Sequence, residues 1–321
     1  MNRLLKLIMA FVAITLTAFA IFLPLRLQKI YNKVAALMTY TLKDFKIITR
    51  LMTQEHEQKQ ESAIIEKEGH EVMSKKNEEV CLMFSGGWDS TLAAFKLCET
   101  FKKVHLLTYY HSNSAFTENS KVNVNRLKDK FGGEKIIHHL IDIDQLKENL
   151  YHGIWRQDRR KYGLFLINCE CSACRIAMFA HLIRYSLENN IHYCASGEVK
   201  VAPSSLVQGL SDKLDELKRE LCNAYGLIYL RPVYYEKNPH KRLFDLGLID
   251  KEVKHIKFPY EYLFHEAQPT CYIGPFSFIF AKFYFLPYQG EKVQKEKKIN
   301  YFREKMNVAK GWINDCVENS K

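Results

Sequence analysis

Apolar and polar positions divide the chain into stretches of different character. Residues 7–25 carry no charge. At about 1.5 Å rise per residue they predict a helix about 28 Å long, close to the hydrocarbon thickness of a bilayer. Residues 44–77 are rich in Gln, Glu and Lys, with no strong apolar face, and read as a polar linker. Beyond them, short apolar runs alternate with amphipathic segments. The runs 80–84, 104–110, 135–142 and 191–195 predict strands, and 91–98, 121–131, 175–189 and 241–246 predict helices. This alternation predicts an α/β fold, a doubly wound and mostly parallel sheet of five strands over residues 78–250. One transmembrane helix is expected before it, within an N-terminal anchor over 1–43, and a C-terminal extension after it over 251–321. Ligands bind beyond the carboxyl ends of such strands, which places 85–90, 111–114 and 196–198 along one rim.

Charge sharpens the reading of the terminus. The formal net charge is +11, but residues 1–50 hold eight Lys/Arg against the single acid Asp44. Arg26, Lys29, Lys33, Lys43, Lys46 and Arg50 outweigh Arg3 and Lys6 on the other side of the apolar segment. The positive-inside rule then predicts a single-pass membrane protein with its main domain in the cytoplasm. The rival is a cleaved signal peptide, for which Ala18-Phe19-Ala20 has the right look, but the apolar run continues past that point. The middle of the chain is nearly neutral, so global charge does not argue for a dedicated nucleic-acid binder. Arg156, Arg159, Arg160 and Lys161 form one local basic patch, better read as a solvated face. Residues 272–288 are strongly aromatic and read as packing.

Chemistry concentrates after the first predicted strand, where Ser85-Gly86-Gly87-Trp88-Asp89-Ser90 leads straight into a helix-forming run. Glycines let the backbone approach an anion, and the helix start offers unpaired N–H groups. Ser85 and Ser90 add hydroxyls, while Asp89 suits Mg²⁺ or the bracing of the loop. No Gly-Lys-Ser/Thr follows, so this is not a Walker loop. The segment resembles the Ser-Gly-Gly-x-Asp-Ser signature of the PP-loop ATP pyrophosphatases, an adenine nucleotide alpha-hydrolase-like superfamily that includes tRNA thiolases and amide-forming synthetases. The resemblance implies ATP as cosubstrate, bound by Ser85, Gly86, Gly87, Asp89 and Ser90. Ser196, Gly197 and Glu198 follow the fourth predicted strand, where such enzymes often carry a Gly-centred motif beside the nucleotide. The match there is partial, because Gly-Glu stands where many thiolases have Gly-His.

Nine cysteines, an odd number, do not read as a secreted disulfide framework. Cys169, Cys171 and Cys174 sit immediately before the predicted helix at 175–189, where a helix N-terminus favours thiolates. A Cys-x-x-Cys pair chelates one metal ion, and soft sulfur suits zinc or an iron–sulfur cluster; redox or unliganded thiols are the plainer reading. The stretch also resembles the tRNA 2-thiocytidine synthetases, which pair a Ser-Gly-Gly loop with a central Cys-x-x-Cys and a later cysteine. That resemblance implies a cluster on Cys171, Cys174 and Cys271, with Arg231 near the nucleotide or acceptor. A fourth ligand from Cys169 resembles instead the zinc of 7-cyano-7-deazaguanine synthase.

These readings converge on an adenylating enzyme, with Asp89, Cys171 and Cys174 as catalytic candidates. ATP activates an acceptor, RNA or a small molecule, for sulfur transfer. The alternatives are an amide- or nitrile-forming ligase and a membrane-tethered nucleotide sensor without turnover. A sulfur or ammonia donor protein is the expected further partner.

Overall fold

The computed structural model describes residues 75–152, 155–162, 166–200, 212–249, 267–272 and 291–318. The expected anchor at 7–25, most of the linker and most of the aromatic stretch at 272–288 lie outside the described residues. Among the described residues no helix is long and apolar enough to cross a membrane.

Five strands form the central sheet: β1 (Glu79–Met83), β2 (Lys103–Tyr110), β4 (Ile136–Asp142), β5 (Tyr193–Ser196) and β6 (Ile228–Leu230). Their order is β4-β2-β1-β5-β6, and every pairing is parallel. Val80, Leu82 and Phe84 face one apolar core, while Cys81 and Met83 face another. The first strand is apolar throughout because helices cover both of its faces. A short antiparallel ribbon, β3 (Ser114–Ala115) with β7 (Thr270–Cys271), stands apart from the sheet.

The helices are α1 (Trp88–Thr100), α2 (Ser120–Phe131), α3 (Asp144–Lys147), α4 (Trp155–Tyr162), α5 (Leu166–Glu188), α6 (Asp212–Ala224), α7 (Pro239–Asp245) and α8 (Glu291–Glu318). Helix α1 buries Leu92, Ala93, Ala94, Phe95 and Leu97. Helix α2 stops at Gly132, whose φ of 94° places it where side chains are disfavoured. Helix α7 opens with Pro239 and with Asn238 accepting from the Lys241 amide at 3.2 Å.

One expectation changes. The predicted helix at 175–189 begins nine residues earlier, at Leu166, because nothing from 166 to 174 breaks it (no Gly, no Pro). The Cys-x-x-Cys pair therefore lies inside a helix, on one face at i and i+3, rather than at its positive end. The C-terminal region supplies α8, whose Tyr301, Phe302, Met306, Ala309 and Ile313 belong to the same core as α5. The local basic patch falls on α4, where Arg156 and Arg160 are exposed and Lys161 pairs with Glu304.

The chain runs from β1 outward through β2 to β4, then crosses back to place β5 on the other side of β1. The switch point of the sheet therefore lies between β1 and β5. Ligands bind beyond the carboxyl ends of strands at such a point.

Candidate functional site

The Ser85–Ser90 segment leaves the end of β1 and enters α1, as the sequence predicts. Its turn is held from within. The Ser90 hydroxyl donates to the Gly87 carbonyl at 3.0 Å and accepts from the Ser85 amide at 3.3 Å. The two serine hydroxyls lie 3.1 Å apart, and the Gly87 amide donates to Ser85 Oγ at 3.2 Å. Both hydroxyls thus brace the loop in this state, and its remaining amides at the start of α1 are the groups that face an anion.

Gly86 cannot carry a side chain, and Gly87 could carry one only if Gln268 moved aside. Gly86 has φ of 78°, and a methyl there would sit 2.8 Å from Ser120 Cα and closer still to the Ala267 carbonyl oxygen. A methyl on Gly87 would meet the Gln268 side chain. The Gly86 carbonyl accepts from Asn123 Nδ2 at 2.7 Å. Asn123, Ala267 and Gln268 are site residues that the sequence does not announce. A buried Asn within a helix (and a Gln before a proline) carry no pattern of their own.

From β5, Gly197 packs directly on the loop. A methyl on Gly197 would lie 2.8 Å from the Ser90 amide nitrogen. The first and fourth sheet crossings thus meet at one point, which no sequence distance reveals. Ser196 turns inward: its hydroxyl lies 2.6 Å from Tyr229 OH and 3.3 Å from Glu198 Oε2. Glu198 accepts from Lys218 Nζ at 2.5 Å, and this ion pair is almost fully buried on the lysine side. Burial raises the Glu198 carboxyl, but Lys218 and Arg175 prevail and hold it below its ordinary value.

Asp89 stands at the first turn of α1. Burial pushes its carboxyl up to about 6. Among the described residues it makes no hydrogen bond or ion pair. A half-buried carboxylate without a cation is the donor that a hard divalent ion takes, so Asp89 fits Mg²⁺.

The cysteines are brought close but not into a chelate. Cys171 and Cys271 are half-buried and Cys174 is buried. Burial pushes the Cys174 thiol up to about 12; Lys147 pulls the other way, while Cys271 and Cys171 add to the rise. The helix-dipole stabilisation expected from the sequence is absent, because these residues sit inside α5. Cys271 Sγ lies 3.8 Å from His111 Nε2 on the ribbon side. No group of three or more His, Cys, Asp or Glu side chains that could hold a metal ion occurs among the described residues. The Cys169 side chain lies outside them.

Arg231 pairs with Asp215 at 2.8 Å and lies over the Tyr234 ring at 4.0 Å. Its guanidinium is thus engaged in the wall behind β6. Of the strand histidines, His138 bonds Thr108 Oγ1 at 2.9 Å and His139 bonds Tyr185 OH at 3.0 Å, one on each side of the sheet.

No family model matches the chain, and no curated protein matches it. Solved structures do. The chain is similar to a U34-tRNA thiolase from Methanococcus maripaludis with its 4Fe-4S cluster, at 17% identity and TM-score 0.41, over 73% of this chain and 76% of that one. It is similar to a 4-thiouridine synthetase in an RNA complex with bound ATP, at 14% identity and TM-score 0.38, over 72% and 53%. It is similar to an NMN synthetase from Francisella tularensis, at 13% identity and TM-score 0.36, over 73% and 87%. These likenesses are of partial shape and carry none of the functional argument. What the chain shares with the PP-loop ATP pyrophosphatases is the Ser85–Ser90 pattern, with a strand before it, a helix after it and a parallel sheet around it.

Proposed function

We propose that the chain binds ATP at the switch point between β1 and β5 and uses it to adenylate an acceptor. The observation that carries this reading is the meeting of Gly197 with Ser90, which closes the phosphate loop against the neighbouring crossover. Amides of the loop hold the phosphates, and Asp89 would hold Mg²⁺, which would offset the charge of the phosphates. An acceptor oxygen attacks the α-phosphorus, the bond to the bridging oxygen breaks, and pyrophosphate leaves. The chain's part is alignment and charge stabilisation by fixed amides. A nucleophile then displaces AMP from the activated acceptor.

Sulfur transfer is the first reading, with RNA or a small molecule as acceptor. It is supported by thiols from α5 and β7, distant in sequence, that act on one another's ionisation. Amide or nitrile formation is the second reading. It is supported by the raised Cys174 thiol, which suits a structural role. The charge around residues 7–25 supports a tether that keeps the domain at the cytoplasmic face of a membrane.

The test uses the full chain, anaerobically, with α-labelled ATP, bulk tRNA and either sulfide or ammonia. AMP and pyrophosphate in equal amounts, dependent on sulfide and on Cys171 or Cys174, support the first reading. Dependence on ammonia with the cysteines dispensable supports the second. ADP as the product overturns adenylation.

A further inference from the structure

The segment that follows β5 is tied down from the side away from the phosphate loop. The Lys200 amide donates to the Tyr234 carbonyl at 2.6 Å. Three side chains converge on one oxygen of Glu198, Oε2. The Ser196 hydroxyl stands 3.3 Å from it, the Tyr229 hydroxyl 3.4 Å and Lys218 Nζ 2.5 Å. Lys218 attracts the carboxylate most strongly, and Arg175 is the next cation. Lys218 comes from the middle of α6 and is almost wholly buried, with its ammonium 5.5 Å from the Phe179 ring centroid. Asp215, one turn earlier on α6, pairs at 2.8 Å with Arg231, just after β6. One helix is thus fastened to the end of β6 and reaches the 196–198 turn.

A buried ion pair adds little net stability, and its better use is to select one arrangement of the chain. The arrangement at stake here lies one residue away. A methyl on Gly197 would stand 2.4 Å from Ser90 Cα, so the turn and the phosphate loop are in backbone contact. The pull of Lys218 on Glu198 passes through the backbone to that contact. Without the ammonium, the carboxylate is drawn out towards water and takes the turn with it. The loop then loses its backing on the β5 side. We propose that Lys218 is a positioning residue of the nucleotide site, holding the 196–198 turn against the phosphate loop through Glu198 and so setting the affinity for ATP. The proposal rests on the reading of Ser85–Ser90 as that loop.

Two measurements on the full chain test this. Amide hydrogen exchange without nucleotide follows residues 85–91, and equilibrium dialysis of labelled ATP with Mg²⁺ gives the affinity. Lys218→Met is expected to speed exchange over 85–91 and to weaken ATP about tenfold, as a small misplacement of binding groups does. Lys305→Met breaks a buried ion pair between α8 and α4, and should lower the thermal midpoint while leaving both readings unchanged. The double variant Lys218→Met with Glu198→Gln removes both charges. It should regain stability without regaining ATP affinity, a split that a purely structural pair does not produce, and it carries both measurements if Lys218→Met alone does not fold. Wild-type ATP affinity in the double variant, or unaltered exchange over 85–91, overturns the proposal and leaves the ATP reading standing. Equal changes in Lys305→Met ascribe the effect to general loosening and overturn it as well. Absence of ATP binding by the wild-type chain overturns the ATP reading and this proposal with it.

Discussion

A methyl group on Gly197 would stand 2.8 Å from the backbone nitrogen of Ser90, so the fourth strand's crossover leaves no room beside the phosphate loop. Gly197→Ala has to push one segment away from the other. Displacing a binding group by about 1 Å costs on the order of 100-fold in rate. We expect Gly197→Ala to fold, with an unchanged far-UV spectrum, and to lose about 100-fold in AMP formation.

Lys305 and Asp158 form an ion pair at 2.8 Å between α8 and α4, with both side chains buried. Removing one partner strands the other charge, at a cost of about 3–5 kcal/mol. Lys305→Met should therefore lower the thermal midpoint sharply. The double variant Lys305→Met with Asp158→Leu should regain most of the loss. Chemical denaturation of the three proteins measures it.

Burial pushes His138 and His181 down to about 4, with Lys128 and Arg184 respectively adding to the shift. Between about pH 4 and 6.5 the unfolded chain binds more protons at these sites than the folded one. Stability therefore falls as pH drops through that window. We expect a loss of about 1 kcal/mol per histidine between pH 6.5 and 5, given partial exposure. Replacing both by Gln should flatten the dependence of the unfolding midpoint on pH.

Much of the frame was legible in the residues. Continuous apolar runs marked four strands, since a strand covered on both faces has no polar side to show. The loop announced itself through its glycines and its place between strand and helix. What stayed hidden depends on contacts between distant segments. The two-residue strands β3 and β7 are too short for any period. The thiols suggest a helix end, but Leu166 to Ala173 simply continue α5. Asn123 and Gln268 reach the loop only through the fold, and the pairing of Glu198 with Lys218 joins a rim loop to a helix twenty residues on.

Cys174 is buried, and burial pushes its thiol up to about 12. The thiolate fraction at pH 8 then falls about a thousandfold, and alkylation follows it. In metal-free protein, mass spectrometry after iodoacetamide should show Cys174 unmodified while Cys171 and Cys271 react. Rapid labelling of Cys174 would contradict the burial described for α5.

Equilibrium binding of ATP with Mg²⁺ to the full chain tests the central claim most directly. The account predicts one ATP per chain, with affinity falling at least tenfold in Gly86→Ala and in Asp89→Asn. ATP bound equally well by both variants, or no binding by the wild-type chain at millimolar ATP, would contradict it.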